Sequence, residues 1–207
     1  MGKAASAFSR GGSKFEAEPI VLVLCEDSKS SKNYLQDAAE DMRAQTFVDI
    51  VHPGVTDPKN IVLAAVRQKN KFDSVYCVID RDRHETFDEA LGIAKANGIR
   101  VIPSYPCFEY WLLLHFGYTR QPFKGKGRMS PADEVCKELR KKEGMEDYDK
   151  GKKKNLYKQL LNSFHNAKNF ASRALKDVEL VGEANPSTHI HILLDEFEAL
   201  SKPKKIK

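Results

Sequence analysis

The fold of this chain is decided by the stretch Pro19-Ile-Val-Leu-Val-Leu-Cys-Glu-Asp27. An unbroken run of aliphatic and β-branched residues is typical of a strand that is buried on both faces, as in a parallel sheet. A second run of this kind, Ser74-Val-Tyr-Cys-Val-Ile79, also passes directly into acidic residues, Asp80-Arg-Asp82. The sequence therefore predicts two central strands that both end in carboxylates.

Outward from these runs, the spacing of apolar residues predicts strands and helices in alternation. Strands are expected at residues 20–25, 47–51, 74–79 and 99–103, and helices at 28–44, 57–70 and 86–96. Such alternation is typical of an open α/β sheet, mostly parallel and flanked by helices, with right-handed crossovers. The fold class is thus predicted to be α/β.

The second half of the chain reads as helical. Helices are expected at residues 108–116, 131–142, 155–181 and 187–200, with no second sheet and no repeat. We divide the chain into a flexible arm (1–18), an α/β core (19–117), a basic helical part packed on that core (118–200) and a basic tail (201–207).

Composition excludes several classes of protein. The chain has 207 residues, of which 41% are hydrophobic and 30% charged, as in a soluble globular protein. No apolar run is long enough to cross a bilayer, and the N-terminus lacks the apolar core of a signal peptide. The four cysteines are scattered without a CxxC pair, which argues against a zinc ribbon or a disulfide scaffold. We expect a cytoplasmic protein with reduced thiols and no membrane partner.

Positive charge is concentrated in one segment. The net charge is +5 for the whole chain but +9 for residues 120–176. Such a segment attracts polyanions by releasing their counterions, although a solvated lysine face would have the same composition. The candidate nucleic-acid-binding residues here are Lys124, Lys126, Arg128, Lys152, Lys153 and Lys154.

The acidic residues after the two central strands form a candidate metal site. In an open α/β sheet ligands bind outside the carboxyl ends of the strands, so Glu26, Asp80 and Asp82 are expected at one rim if the two strands are neighbours. Carboxylate oxygens suit Mg²⁺ or Mn²⁺, which can activate water against a phosphodiester. Arg81 and Arg83 could then pair with phosphate oxygens. Acids after strands are also common as turn or cap residues, and that alternative stays open.

Other chemistries have less support in the sequence. The chain contains no GxxxxGK[ST] loop, no GxGxxG after a strand and no GxSxG elbow. A P-loop ATPase, a dinucleotide oxidoreductase and an α/β-hydrolase are therefore unsupported.

A buried strand that ends in Glu, followed about 55 residues later by one that ends in Asp-x-Asp, resembles the Toprim domain of topoisomerases, primases and certain nucleases. Several passages also resemble the RloB family of bacterial defence proteins. They are "LCEDSKSSKNY" (24–34), "VIDRDRH" (78–84), "PSYPCFEYWLLLHF" (103–116) and "NPSTHIHILLDEF" (185–197). One departure is that Asp27 and Ser31 stand where relatives usually have the glycine and second acid of "EGxxTE".

The resemblance implies a Toprim nuclease with Mg²⁺ held by Asp80 and Asp82. Glu26 would be the Toprim glutamate, acting as general acid or base or as a metal ligand. The resemblance also implies an RloA-like ABC-type or AAA-like ATPase partner, a role in anti-phage defence and, by analogy, an RNA or tRNA substrate.

Two further residues lie on the predicted helix at 108–116. Glu109 is expected to face the rim or solvent, either as an extra metal ligand and catalytic residue or as a first-turn Glu stabilised by the helix N-terminus. His115 is expected to lie in the core or just behind the site, and the aromatic residues of this helix to fill the core.

Residues that open the predicted last helix are a second candidate phosphate site. Asn185, Ser187 and Thr188 could bind phosphate together with exposed helix N–H groups, or a hydroxyl could simply cap the helix. His189 and His191 diverge on a helix, so no zinc site is expected. Lys29 could contact phosphate or be solvated.

A rival hypothesis is a non-catalytic partner that docks on an ATPase, for which the acidic rim is only structural. A primase or topoisomerase activity is a weaker alternative, because the usual accessory domains are missing. A homo-oligomer is possible on this sequence, which does not decide between DNA and RNA.

Overall fold

A computed structural model of the chain describes residues 19–81, 84–149 and 154–202. The arm at 1–18, Asp82, Arg83, Lys152, Lys153 and most of the tail lie outside the described residues. The strands are β1 (Val21–Cys25), β2 (Val48–Val51), β3 (Ser74–Asp80), β4 (Arg100–Tyr105) and β5 (Ser187–Thr188). The helices are α1 (Ser30–Asp41), α2 (Pro58–Gln68), α3 (Phe87–Ala96), α4 (Glu109–Leu114), α5 (Pro131–Leu139), α6 (Leu156–Leu160), α7 (Phe164–Val181) and α8 (Ile190–Leu200).

The strands form one sheet in the order β2-β1-β3-β4-β5. The first four are parallel, and β5 runs antiparallel to β4. The predicted α/β class is therefore confirmed, and β1 and β3 are neighbours as the candidate metal site requires. Between β1 and β3 the strand order reverses direction, and ligands bind at such switch points in doubly wound sheets.

Both faces of the sheet are covered, which explains the unbroken apolar strands. Along β1, Leu22 and Leu24 pack against α2 and α3. Val21, Val23 and Cys25 point to the opposite face, where α1, α4 and the helices of the C-terminal half pack. Successive residues of a strand point to opposite faces, so each position of β1 must be apolar.

The C-terminal half is helical with two departures from prediction. The helix expected at 155–181 is interrupted by a 3₁₀ turn at Leu161–Ser163. The prediction that Ser187 and Thr188 begin the last helix is wrong, because they pair with Tyr105 and Ser104 as β5. This half therefore adds a strand to the sheet of the core, and the boundary at 117 stays a prediction.

The core contains a histidine that is held neutral. His115 is buried, as predicted, with Nε2 3.3 Å from Tyr34 Oη and Nδ1 3.0 Å from Ser163 Oγ. Burial lowers the pKa of His115 from 6.5 to about 4. Between these two values the unfolded chain binds a proton that the folded protein excludes, so stability falls as pH falls from 6.5 towards 4.

We expect His115→Gln to reduce the acid sensitivity of the fold. Between pH 7 and pH 5 the histidine accounts for about 2 kcal/mol of lost stability, and this part of the loss disappears in the variant. Urea unfolding at both pH values measures it, with the exposed His165→Gln as matched control. An unchanged loss in His115→Gln would contradict the assignment.

Candidate active site

The candidate site lies at the carboxyl ends of β1 and β3. Glu26 follows β1 directly, and its N–H donates to Val78 O at 3.0 Å, which extends the pairing of the two strands. Asp80 is the last residue of β3. The parallel pairing thus brings together two acids that are 54 positions apart in the sequence, as predicted.

Both carboxylate oxygens of Glu26 are held. Oε2 accepts a hydrogen bond from the backbone N–H of Asp80 at 2.8 Å, and Oε1 lies 2.9 Å from His84 Nε2. The Glu26 side chain is 14% exposed and that of His84 31% exposed, so the pair is reachable from solvent at its histidine end. A carboxylate fixed at both oxygens is oriented, which is what a group that transfers protons requires.

Burial and hydrogen bonding act in opposite directions on the pKa of Glu26. Burial raises the pKa of Glu26 above its ordinary value, while the Asp80 N–H and the His84 ring act in the opposite direction. A carboxyl group whose pKa is raised takes up a proton closer to neutral pH than a solvated one does. His84 Nε2 and Glu26 Oε1 are within hydrogen-bond distance of each other, so a proton bound to either atom lies on the contact between them.

Asp80 connects the site to α4. Its Oδ1 accepts a hydrogen bond from the N–H of Phe108 at 2.9 Å, immediately before the helix begins. Phe108, Tyr110 and Trp111 are buried, as predicted, so α4 is a fixed apolar element. The position of Asp80 is thereby tied to the core and not only to its own strand.

Asp27 shapes the turn after β1. Its carboxylate accepts hydrogen bonds from the N–H groups of Lys29, Ser30 and Ser31 at 2.5–2.7 Å and from Ser31 Oγ. Asp27 thus occupies the N-terminus of α1 with its own negative charge. The two departures from the family pattern, Asp27 and Ser31, bond to each other and stabilise this turn.

Arg81 is turned towards its own loop. Its Nη1 donates to His84 O at 3.2 Å, and its guanidinium lies over the Phe87 ring, 4.9 Å from the centroid. These contacts hold the segment that carries His84. Its predicted contact with phosphate stays a prediction, and Arg83 lies outside the described residues.

Glu109 begins α4, and the expected alternative in which it faces solvent is wrong, whereas the alternative in which it faces the rim stays a prediction. It is 1% exposed, and Tyr148 Oη donates to its Oε1 at 2.9 Å. The same hydroxyl is 3.4 Å from Ser30 Oγ. A donor from the segment after α5 thus offsets part of the cost of burying this carboxylate, and its catalytic and metal-binding roles stay predictions.

The residues predicted to bind phosphate before α8 are used internally. Ser187 and Thr188 are buried in β5, and Thr188 Oγ1 lies 2.8 Å from Ser104 Oγ. Asn185 bonds the backbone of Phe123 with both ends of its amide. The expected exposed helix N-terminus is absent there because the chain first pairs with β4.

Five of the basic residues predicted to bind nucleic acid lie exposed at the surface. Lys29, Lys124, Lys126, Arg128 and Lys154 are exposed. Lys124 and Lys126 lie on the loop between α4 and α5, and Lys154 lies just before α6. Their predicted binding of nucleic acid stays a prediction.

The donor chemistry of Glu26 and Asp80 fits Mg²⁺ or Mn²⁺. Carboxylate oxygens are the ligands that these hard cations prefer in proteins. Among the described residues, no group of three or more His, Cys, Asp or Glu side chains is arranged to hold a metal ion. The third predicted ligand, Asp82, lies outside them.

Sequence reasoning missed His84, which is the partner of Glu26. The signal was its place two residues after Asp82, in the loop that follows a strand of the switch point. It also missed Tyr148, for which the sequence holds no signal, because its contact with Glu109 joins segments 39 residues apart.

Comparison with known proteins supports the resemblance of the quoted passages. No curated protein and no solved structure matches the chain. None of the helices in the described parts of the chain has the length and apolar character needed to span a membrane. The model of the family described as RloB-like protein matches residues 21–197, which include the acids, the histidine, α4 and most of α8. The chain belongs to the RloB-like family.

Proposed function

We propose that this protein is a metal-dependent nuclease that hydrolyses phosphodiester bonds with Glu26 and His84 as its proton-transfer pair. The observation that carries the proposal is the contact of Glu26 with both His84 Nε2 and the Asp80 N–H at the switch point of the sheet. The hydrogen bond from the Asp80 N–H to Glu26 thus joins Asp80, a candidate metal ligand, to the pair of Glu26 and His84.

The roles of the residues follow from their chemistry. Asp80, with Asp82 and an oxygen of Glu26, would hold Mg²⁺ or Mn²⁺. A bound divalent cation supplies positive charge that lowers the pKa of water and stabilises negative charge on the phosphate. The raised pKa of Glu26 makes it a stronger base than a solvated carboxylate.

In the proposed hydrolysis a water oxygen forms a bond to phosphorus and the ester P–O bond breaks. The proton lost by the water goes to the Glu26–His84 pair, and the leaving oxygen takes a proton from solvent. His84 shares the proton that Glu26 accepts, because its Nε2 is in hydrogen-bond contact with Oε1. The surface lysines of the 120–176 segment would attract the polyanionic substrate.

The substrate and the biological role are carried over from the resemblance to the RloB family. We propose RNA, including tRNA, as the favoured substrate, anti-phage defence in the cytoplasm as the role, and an RloA-like ATPase as the partner. The test is cleavage of a labelled tRNA pool, single-stranded RNA and plasmid DNA, with Mg²⁺ or Mn²⁺ and with EDTA. Cleavage in the presence of EDTA would contradict the proposal. So would a failure to cleave any of the substrates even with the ATPase added.

Metal binding can be tested without any substrate. We expect Mg²⁺ at about 100 times its dissociation constant to raise the melting temperature of the wild type by about 5 °C or more. Asp80→Asn should lose this gain because it removes a ligand charge, whereas Glu85→Gln, an exposed neighbour of His84, should keep it. Differential scanning fluorimetry at constant ionic strength measures the shift.

The outcomes of this measurement separate nuclease from docking protein. An equal shift in wild type and Asp80→Asn would place the cation elsewhere. No shift at any Mg²⁺ concentration would favour the non-catalytic partner, in which the acidic rim is structural.

A further inference from the structure

A pocket of about 580 Å³ lies outside the acidic rim, between the end of α4, the loop at 117–126 and α5. We call it the α4–α5 pocket. Its volume is in the range of sites that enclose a small molecule or one nucleotide. None of the candidate catalytic residues lines it, so the proposed chemistry leaves it unexplained.

The loop wall of the pocket is held in place although it has no regular secondary structure. Asn185 Nδ2 donates to Phe123 O at 2.7 Å, and Phe123 N donates to Asn185 Oδ1 at 3.3 Å. The phenol of Tyr110 donates to Thr119 O at 2.7 Å. The backbone of Thr119 and of Phe123, which both line the pocket, is thus held by side chains of other segments.

Arg120 adds a third attachment. Its guanidinium donates to Glu183 O at 2.7 Å and to Pro186 O. The loop is therefore fastened to the segment before β5 at two points, Arg120 and Phe123. A pocket held in this way loses little entropy on binding, which favours affinity.

The interior of the pocket combines three kinds of surface. Phe116 and Phe123 are half-buried and present aromatic carbon. Lys124 and Lys126 line the pocket and are exposed, and neither is a member of the ion pairs found among the described residues. Glu134 and Glu138, both on α5, supply carboxylates to the wall, and Lys142 also lines the pocket. The carboxylate of Glu138 is paired with Lys141 at 2.6 Å, which leaves Glu134 as the carboxylate that the proposal uses.

Each of these surfaces matches a part of one nucleotide. Aromatic side chains stack on bases, and lysines bind the phosphate. A carboxylate accepts a hydrogen bond from an exocyclic amino group, such as N4 of cytosine, but faces only an acceptor oxygen at the same place on thymine or uracil.

We propose that the α4–α5 pocket receives one amino-bearing nucleobase, with the adjoining phosphate held by Lys124 and Lys126. This inference rests on the proposed function, because it assigns a single-stranded or unpaired nucleotide to the substrate of that nuclease. Phe108 bonds Asp80 just before α4, and Phe116 lies just beyond its end. Roughly 10 Å of helix therefore separate the rim from the pocket, a few nucleotides at most.

The experiment measures binding without cleavage. Fluorescein-labelled 12-residue oligo(dC), oligo(dT) and an abasic strand of equal charge are titrated with Glu26→Gln in EDTA, and fluorescence anisotropy is recorded. We expect oligo(dC) to bind about tenfold more tightly than oligo(dT), and the abasic strand to bind most weakly. Glu134→Gln should remove most of the preference for oligo(dC).

A charge-matched pair of variants tests the lysines. We expect Lys124→Glu with Lys126→Glu to weaken oligo(dC) binding by more than tenfold, and Lys71→Glu with Lys95→Glu, which are also exposed, to weaken it by less than threefold. Cytidine monophosphate is added as competitor. If it displaces oligo(dC), the pocket also accepts a free nucleotide. If it does not, the source is a strand.

Two results would overturn the inference. They are equal affinity for oligo(dC) and the abasic strand, and equal weakening by the two double variants. Because no metal and no cleavage are involved, the two proposals fail separately. Base-selective binding by a protein that never cuts would contradict the proposed function alone, and cutting without base selectivity would contradict the pocket alone.

Discussion

Glu26→Gln should lower the rate of metal-dependent cleavage by about 10³-fold and leave the fold intact. Glutamine has the shape of glutamate, and its side-chain oxygen can still accept the hydrogen bond from the Asp80 N–H. It has no negative charge and cannot take up the proton of the attacking water. Single-turnover cleavage measures the loss, and circular dichroism with thermal unfolding checks the fold.

Glu85→Gln is the matched control for this variant. Glu85 is an exposed carboxylate next to His84, and its loss removes the same charge from the loop that carries the partner of Glu26. We expect its rate to stay within about twofold of wild type, as for ordinary surface substitutions. If Glu26→Gln cuts as fast as Glu85→Gln, the carboxylate of Glu26 takes no part in the reaction.

The second large effect is expected at His84. His84→Gln should reduce cleavage at neutral pH by about 10²-fold and move the acidic limb of the pH–rate profile to higher pH. The sign follows from Glu26, whose pKa is raised by burial and lowered by the His84 ring. Removing the ring removes a lowering effect, so Glu26 stays protonated, and inactive as a base, up to a higher pH.

The pH profile distinguishes this role from a structural one. His52→Gln is the control, because His52 also lies near the rim, with Nδ1 3.1 Å from Cys25 O, but bonds no carboxylate in the described structure. We expect its profile to keep the wild-type shape. A uniform loss of rate in His84→Gln, with no movement of the acidic limb, would reduce His84 to a residue that only positions Glu26.

The meeting of Glu26 and Asp80 could be predicted from the sequence for a simple reason. Each acid directly ends a run of residues that must be buried on both faces, and parallel neighbours end at the same rim. The location of the acids therefore depends only on strand periodicity and on the pairing of β1 with β3. The burial of the aromatic residues of α4 and of His115 was predicted separately, from the largely apolar sequence of residues 108–116.

His84 was not predicted because its contact with Glu26 depends on the conformation of a loop and not on a periodic pattern of apolar residues. The loop after β3 brings the ring back to Glu26, and Arg81 holds it there through the carbonyl of His84. No repeating pattern in the sequence indicates that the loop brings the histidine to Glu26. The passage "VIDRDRH" shows that a histidine is present, but it does not show in which direction the side chain points.

The strand β5 was not predicted, for a related reason. A strand of two residues is too short to show alternation, and Ser187 and Thr188 are better known as helix caps. Their burial depends on Ser104, a polar residue of β4 that offers a hydroxyl partner. Asn185 was likewise noticed as a polar residue near a helix start, but its partner is the backbone of a loop more than 60 positions away.

The central claim is that the acids at the switch point form a metal-dependent active site, and Asp80→Asn tests it most directly. Asparagine keeps the side-chain oxygen that accepts from Phe108 N–H, so the variant should fold, but it loses the charge that holds the cation. The measurement is single-turnover cleavage of the preferred substrate with Mg²⁺ or Mn²⁺, wild type beside Asp80→Asn. We predict no detectable cleavage by the variant. Cleavage at the wild-type rate would contradict the account.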